Sequence, residues 1–302
     1  MRFGYRNKFA LSCLTVLLGF PLVVQGASSK KTPPPERADQ QAVSVTPGAS
    51  VDAPPPPVRA DQASTSKAFT TTDIQALYGN SFREPGVSNI IARTVTLENS
   101  AGWSWGSSYF FMDYIRYNQS AQNATEFYSE WYPSVSISKT THADFSARPI
   151  LDDILITMGV NAGSNNTGAS PLVFLPGLTF NLKIPKFQFF SLGAYAYMDK
   201  GRIGSTGNGC NNTTYQITPS WSLPFDIGSA SFRFDGFVDY IGSHGQCSHQ
   251  IVSQPTLKLD LGNFRGRPNR LFAGVEWSYW RNKFGISGLN QTAPQAVVMW
   301  VF

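Results

Sequence analysis

Beyond its first two dozen residues the 302-residue chain has no long apolar run, so nothing after that point could cross a membrane as a helix. Charge is also scarce. Charged residues make up 14% of the chain, well under the roughly 25% of an ordinary soluble domain. Histidine and cysteine number three each, too few for a histidine-rich metal site or a disulfide-dense scaffold. A Gly-x-Ser-x-Gly elbow and a phosphate-binding glycine loop are both missing, and the acids are scattered, so we expect no enzyme and no cofactor. The formal charge of +5 falls to +2 once Arg2, Arg6 and Lys8 are set aside with the leader. The segment from residue 27 to 67 holds five bases and four acids, which leaves +1 on the rest and excludes a nucleic-acid surface.

What the chain does have divides it into three. Arg2, Arg6 and Lys8 precede the apolar run Phe9 to Val24, and small residues follow at Gly26 and Ala27, the pattern of a secretory signal peptide over 1–26. Residues 27–70 are proline-rich, with PPPERADQ at 33–40 echoed by PPPVRADQ at 55–62. Such a segment cannot bury a core, and we expect a disordered periplasmic spacer, partly polyproline II.

From residue 71 to 302 the texture is uniform: short alternating runs separated by Gly, Pro, Asn and Ser clusters. Tyr215, Ile217, Pro219, Trp221 and Leu223 share one face of their run, with Gln216, Thr218, Ser220 and Ser222 on the other. About twelve such runs can be counted, several longer than the 5 or 6 residues usual in globular strands, and a tilted membrane strand needs about 9–11. Aromatics, at 14%, gather on the apolar faces. The sequence stops on Ala296-Val297-Val298-Met299-Trp300-Val301-Phe302, apolar where termini are usually polar and frayed. These features predict an all-β fold, a transmembrane antiparallel β-barrel of about 12 strands in the outer membrane of a Gram-negative cell. The last strand would close the seam with Val298, Trp300 and Phe302 in lipid, and would also meet the barrel-assembly machinery. With both ends in the periplasm, turns after even strands should be short; the segment 139–150 is not.

Cys210 and Cys247 fall in adjacent outer loops, and in an oxidising compartment a disulfide is the leading reading. A zinc site formed with His244 and His249, or two free thiols, are the alternatives.

Alternation places Glu98, Tyr128, Glu130, Tyr132, Arg233, Asp235, Phe237, Asp239, Lys258, Glu276 and Trp280 on inward faces, where charge avoids lipid. Asp113 joins them as a candidate, although YFFM at 109–112 is apolar on both sides and leaves its face open. For Arg233, Asp235, Lys258 and Glu276 a structural ion-pair ladder is the expected role. For Phe237, Trp280 and the tyrosines, stacking of a ligand and simple filling of the lumen are evenly matched.

The segments TVTLENSAGWSWGSSYFFMDY (94–114), EFYSEWYPSVSIS (126–138) and FAGVEWSYWRNKFGI (272–286) resemble the Tsx-like family of outer-membrane nucleoside channels, which includes the OmpK-type porins. The most specific part runs from Leu97 to Asp113, and Tyr279 to Gly285 is next. The resemblance covers roughly residues 70–302 and implies a twelve-stranded barrel with passive, selective uptake of nucleosides. It does not extend to the proline-rich segment. The alternatives are a general small-solute porin, or a closed surface barrel acting as a receptor through its outer loops.

Overall fold

A computed structural model describes residues 68–118, 124–145, 147–166, 168–201, 210 and 212–302. The leader and the proline-rich segment to residue 67 lie outside the described residues. So do the expectations attached to them.

The described residues form one closed antiparallel sheet. Its strands are β1 (Phe69–Glu84), β2 (Val87–Trp103), β3 (Gly106–Tyr117), β4 (Thr125–Ser136), β5 (Leu151–Asn165), β6 (Leu172–Leu182), β7 (Phe189–Asp199), β8 (Thr213–Ile227), β9 (Ala230–Ile241), β10 (Gln250–Ser253), β11 (Thr256–Asp260), β12 (Leu271–Arg281) and β13 (Gln291–Val301). β10 and β11 are two arms of one stave. Ser253 faces Val238 and Tyr279, while Thr256 faces Asp235 and Glu276, so all three chains advance in step across the break. The interruption falls at Gln254-Pro255, where proline has no N–H to give to the ladder. The barrel therefore has twelve staves.

Each stave pairs with its neighbour in sequence, and β13 returns to β1 with Asp73 opposite Val301 and Gly79 opposite Gln295. Closure leaves no sheet edge unpaired, which a barrel in lipid requires because nothing there can satisfy a bare N–H or C=O. Even Phe302 is held, its N–H donating to the Thr72 carbonyl at 3.0 Å. The seam is tight at Gly79, where a Cβ would lie 2.7 Å from the Gln295 side chain and 2.9 Å from the Pro294 carbonyl oxygen. Just beyond, Ser81 takes a positive φ of 69° and the register slips, a bulge that turns Phe82 back to the inside.

Side chains alternate strictly across β13. Gln291, Ala293, Gln295, Val297, Met299 and Val301 point in and are buried; Thr292, Pro294, Ala296, Val298, Trp300 and Phe302 point out. Val298, Trp300 and Phe302 are thus on the outer face, as the alternation predicts. Around the barrel that face is apolar, with Ile74, Val95, Leu97, Met112, Ile156, Met158, Leu257 and Val275 exposed on it. Aromatic residues edge the apolar band on both sides. Trp131, Trp221 and Trp300 lie toward the end holding Phe69 and Val301, and Tyr78, Tyr114, Tyr215, Tyr240 and Tyr279 toward the other. Inside, small apolar clusters such as Phe82, Ile90, Ala92 and Ala293 fill part of the wall, and polar residues occupy the rest.

The connection at 137–150 contains a short helix, α1 (Ile137–Thr141), capped by the Ser136 hydroxyl accepting from the Lys139 N–H at 3.1 Å. That helix accounts for the long connection at an end where short turns are expected.

Candidate functional site

Every candidate from the sequence falls on the inner wall, because cross-strand partners share a face. Glu98 faces Phe111 and Thr96 faces Asp113, and the Thr96 hydroxyl donates to the Asp113 carboxylate at 2.6 Å. This places Asp113 inward, which the YFFM run left undecided. Tyr128, Glu130 and Tyr132 line β4; Arg233, Asp235, Phe237 and Asp239 line β9; Lys258, Glu276 and Trp280 complete the set.

The candidates separate into three groups. The first is an ion-pair cluster. Arg233 Nε lies 2.7 Å and Lys258 Nζ 2.8 Å from the same oxygen of Asp235. The Arg233 guanidinium sits 4.7 Å over the Phe272 ring. Beside it, Gln75 Nε2 donates to Asp73 at 3.0 Å and to Glu98 at 3.1 Å, so an amide separates two carboxylates. Arg233, Asp235 and Lys258 thus form the expected ladder. Glu276 stands outside it, bound by Gln295 Nε2 at 3.0 Å and the Thr256 hydroxyl at 3.4 Å instead of a cation.

The second group has carboxylates without cationic partners among the described residues. Glu130 accepts from the Tyr128 hydroxyl at 2.7 Å and from Asn161 Nδ2 at 2.9 Å. Asp239 accepts from Thr218 at 2.6 Å and Gln216 Nε2 at 3.1 Å. Aromatic rings surround them: Tyr109 to Phe111 at 6.2 Å, Phe111 to Tyr128 at 6.1 Å and Tyr132 to Tyr195 at 6.0 Å between centroids. Tyr109 keeps 38% of its surface exposed although it points inward, so the interior is open beside it. The Asn161 Oδ1 is buried with no partner, an acceptor left for something else to bond.

Sequence reading missed Tyr109, Phe111, Asn161 and Tyr195. Tyr109 and Phe111 sit in the one run with no alternation. Asn161 carried a legible signal, since it falls on the face of Asp153 and Thr157.

The third group is at the mouth. Trp280 faces inward, but the turn at Lys283–Gly285 folds over it. Lys283 Nζ lies 5.2 Å from the Trp280 ring and Phe284 packs edge-on at 5.1 Å. Lys283 is buried, donating to Gln291 at 2.7 Å and to the Arg83 carbonyl at 2.9 Å. That burial pulls its pKa down to about 8. Lys283 and Phe284 thus pack against the Trp280 ring at the mouth. Phe237 remains inward without a ring partner among the described residues.

Cys210 and Cys247 are joined as a disulfide, with Cα atoms 5.2 Å apart. Neighbouring bonds extend the link: Ser248 N–H donates to the Gly285 carbonyl at 2.9 Å, and Asn282 Nδ2 to the His249 carbonyl at 2.9 Å. Three loops at this end are knit together. The zinc alternative does not assemble as the sequence suggested, for His249 stacks on Tyr240 at 6.0 Å. Asp199 instead approaches His244, with Nε2 to carboxylate 3.6 Å, and this contact raises the His244 pKa from its ordinary 6.5.

Outside the mouth and the ion-pair cluster, the inner wall offers an open stretch of hydroxyls, amides, carboxylates and rings. No protein-family model matches the chain, and no curated protein matches it. Among solved structures the chain is similar to the NanC porin, at 10% identity and a TM-score of 0.44 over 76% of this chain and 98% of that one. It is similar to the KdgM porin, at 10% identity and a TM-score of 0.42 over 78% of this chain and 99% of that one. A third is the translocator domain of the autotransporter NalP from Neisseria meningitidis, at 14% identity and a TM-score of 0.36, covering 80% and 91%. The twelve-stave architecture itself rests on the strand pairing described above.

Proposed function

We propose that the barrel is an outer-membrane channel for passive diffusion of small solutes, and that nucleosides are the solutes it selects. The observation that carries this reading is the reversed polarity of the two faces, apolar with aromatic borders outside and carboxylates with hydroxyls and amides inside. The end holding Phe69 and Phe302 faces the periplasm, and the disulfide-bonded loops face out. Strands of 11 to 17 residues in the staves other than the divided one are long enough for a tilted membrane strand. Such a wall supports transport rather than catalysis.

The finer assignment joins two supports: the resemblance of 94–114, 126–138 and 272–286 to the Tsx-like channels, and the chemistry of the second group. A nucleoside carries a flat base and ribose hydroxyls but no charge. Tyr109, Phe111, Tyr128 and Tyr132 offer ring faces, and Glu130, Asp239 and Asn161 offer acceptors for hydroxyls. Base stacking is worth about 1–3 kcal/mol per base on such surfaces. Conduction calls for weak contacts in series. The carboxylates also disfavour anions.

The test is single-channel conductance in planar bilayers with adenosine, thymidine and a sugar control. Block by nucleosides alone is the expected result. Steady conductance indifferent to all three reduces the reading to a general small-solute porin. The strapped mouth favours a second reading, a closed surface barrel acting through its loops, and absence of conductance from a folded barrel would support it.

A further inference from the structure

Two arginines stand side by side on the apolar outer face. Arg93 on β2 and Arg116 on β3 are directly opposite one another and both are exposed. Their cross-strand neighbours Tyr78 and Thr125, and Val95 and Tyr114 one step along the face, carry no charge. Among the described residues, no carboxylate forms an ion pair with either arginine. Like charges facing across a ladder are destabilising, so a pair held without an acid calls for a neutralising group from outside the chain. The height of the pair matters as well. Arg93 is level with Tyr78, its guanidinium 5.9 Å from that ring, in the tyrosine border at the loop-bearing end. Tyr114 and Phe127, with ring centroids 4.9 Å apart, lie just toward the apolar band. Aromatic rings there suit the boundary between acyl chains and headgroups. Two planar guanidinium forks side by side match the oxygens of a phosphate.

We propose that Arg93 and Arg116 form a docking patch for the phosphate of a phosphorylated glycolipid in the outer leaflet, with its acyl chains along Tyr114 and Phe127. This rests on the outer-membrane reading and on the orientation that turns the disulfide-bonded loops outward.

The test uses the full mature chain folded in detergent micelles and native mass spectrometry to measure binding of lipid A bearing two phosphates. The comparison ligands are lipid A stripped of its phosphates, and inorganic phosphate. Wild type should prefer the phosphorylated form, and the double variant Arg93→Gln/Arg116→Gln should bind it about tenfold or more weakly, given the roughly additive attraction of each arginine to anionic lipid. Arg281→Gln, removing another exposed arginine at the same end, should bind as wild type does. Equal binding by the double variant, equal loss in Arg281→Gln, or indifference of wild type to the phosphates would each overturn the patch. Displacement of lipid A by millimolar inorganic phosphate would overturn it in favour of a free-phosphate site. Insertion of wild type and double variant into liposomes, read by flotation, is measured in parallel. Wild type that inserts without preferring phosphate sinks the patch alone, whereas wild type that fails to insert sinks the membrane reading.

Discussion

Two sectors of the same inner wall treat half-buried carboxylates in opposite ways. On β9, β11 and β12 Asp235 holds Arg233 and Lys258, and charge is cancelled within the protein. On β4, β5, β8 and β9, Glu130 and Asp239 receive only hydroxyls and amides and stand among tyrosines. The first arrangement braces one side of a narrow barrel. The second leaves carboxylate oxygens and the unpartnered Asn161 Oδ1 on the inner wall, the groups to which the proposed reading assigns solute contact. Carboxylates on one inner wall thus differ in the partners that register brings them, cations for Asp235 and neutral groups for Glu130 and Asp239.

The contrast can be broken at its stronger side. Asp235→Ala strands Arg233 and Lys258 without their acid, and loss of one partner of a buried cluster costs about 3–5 kcal/mol. Urea unfolding in micelles should show that loss, and a change below about 1 kcal/mol would mean that lumen water already screens the cluster. Next in size is the mouth. Cys210→Ser/Cys247→Ser opens a link between residues 37 apart, and removing such a disulfide costs about 2–4 kcal/mol. The same unfolding assay with and without reductant measures it, and reductant should leave the double variant unaffected. On the weaker side, Glu130→Gln keeps the shape and its neutral partners, so stability should move by less than about 1 kcal/mol. Its effect should appear instead as reduced cation preference in the reversal potential under a salt gradient and as weaker nucleoside block. If Asp235→Asn shifted the reversal potential as much as Glu130→Gln, the division of the wall into two sectors would fail.

The smallest expected effect is pH-dependent. The Asp199 carboxylate raises the His244 pKa above 6.5, so the protonated form is favoured in the fold. The stabilisation is complete below pH 6.5 and disappears as pH rises through the higher folded value. His244→Gln should flatten that part of the stability profile, and a profile unchanged by the substitution would mean the contact contributes nothing.

Much of the barrel could be read along the chain because a strand writes its environment in a two-residue period. The run Gln216 to Ser222 announces its polar face, and Arg233, Asp235, Phe237 and Asp239 are placed inward by the same rule. The period fails where both neighbours are apolar, so Tyr109, Phe111 and Asp113 needed the pairing of Thr96 with Asp113 to fix them. It is silent about partners across strands, since these depend on register: Asn161 meeting Glu130, or Gln295 meeting Glu276 in place of a cation. It gave no sign that the turn at Lys283 would fold over Trp280, because a loop's path is set by packing against other loops.

The sequence by itself determined the strand count, the two faces and the apolar character of the last strand, since burial in lipid or water imposes that alternation residue by residue. Only the tertiary structure decided which carboxylates meet cations and which meet only hydroxyls and amides. A charge's role depends on neighbours brought by register from distant strands, and no local period encodes them.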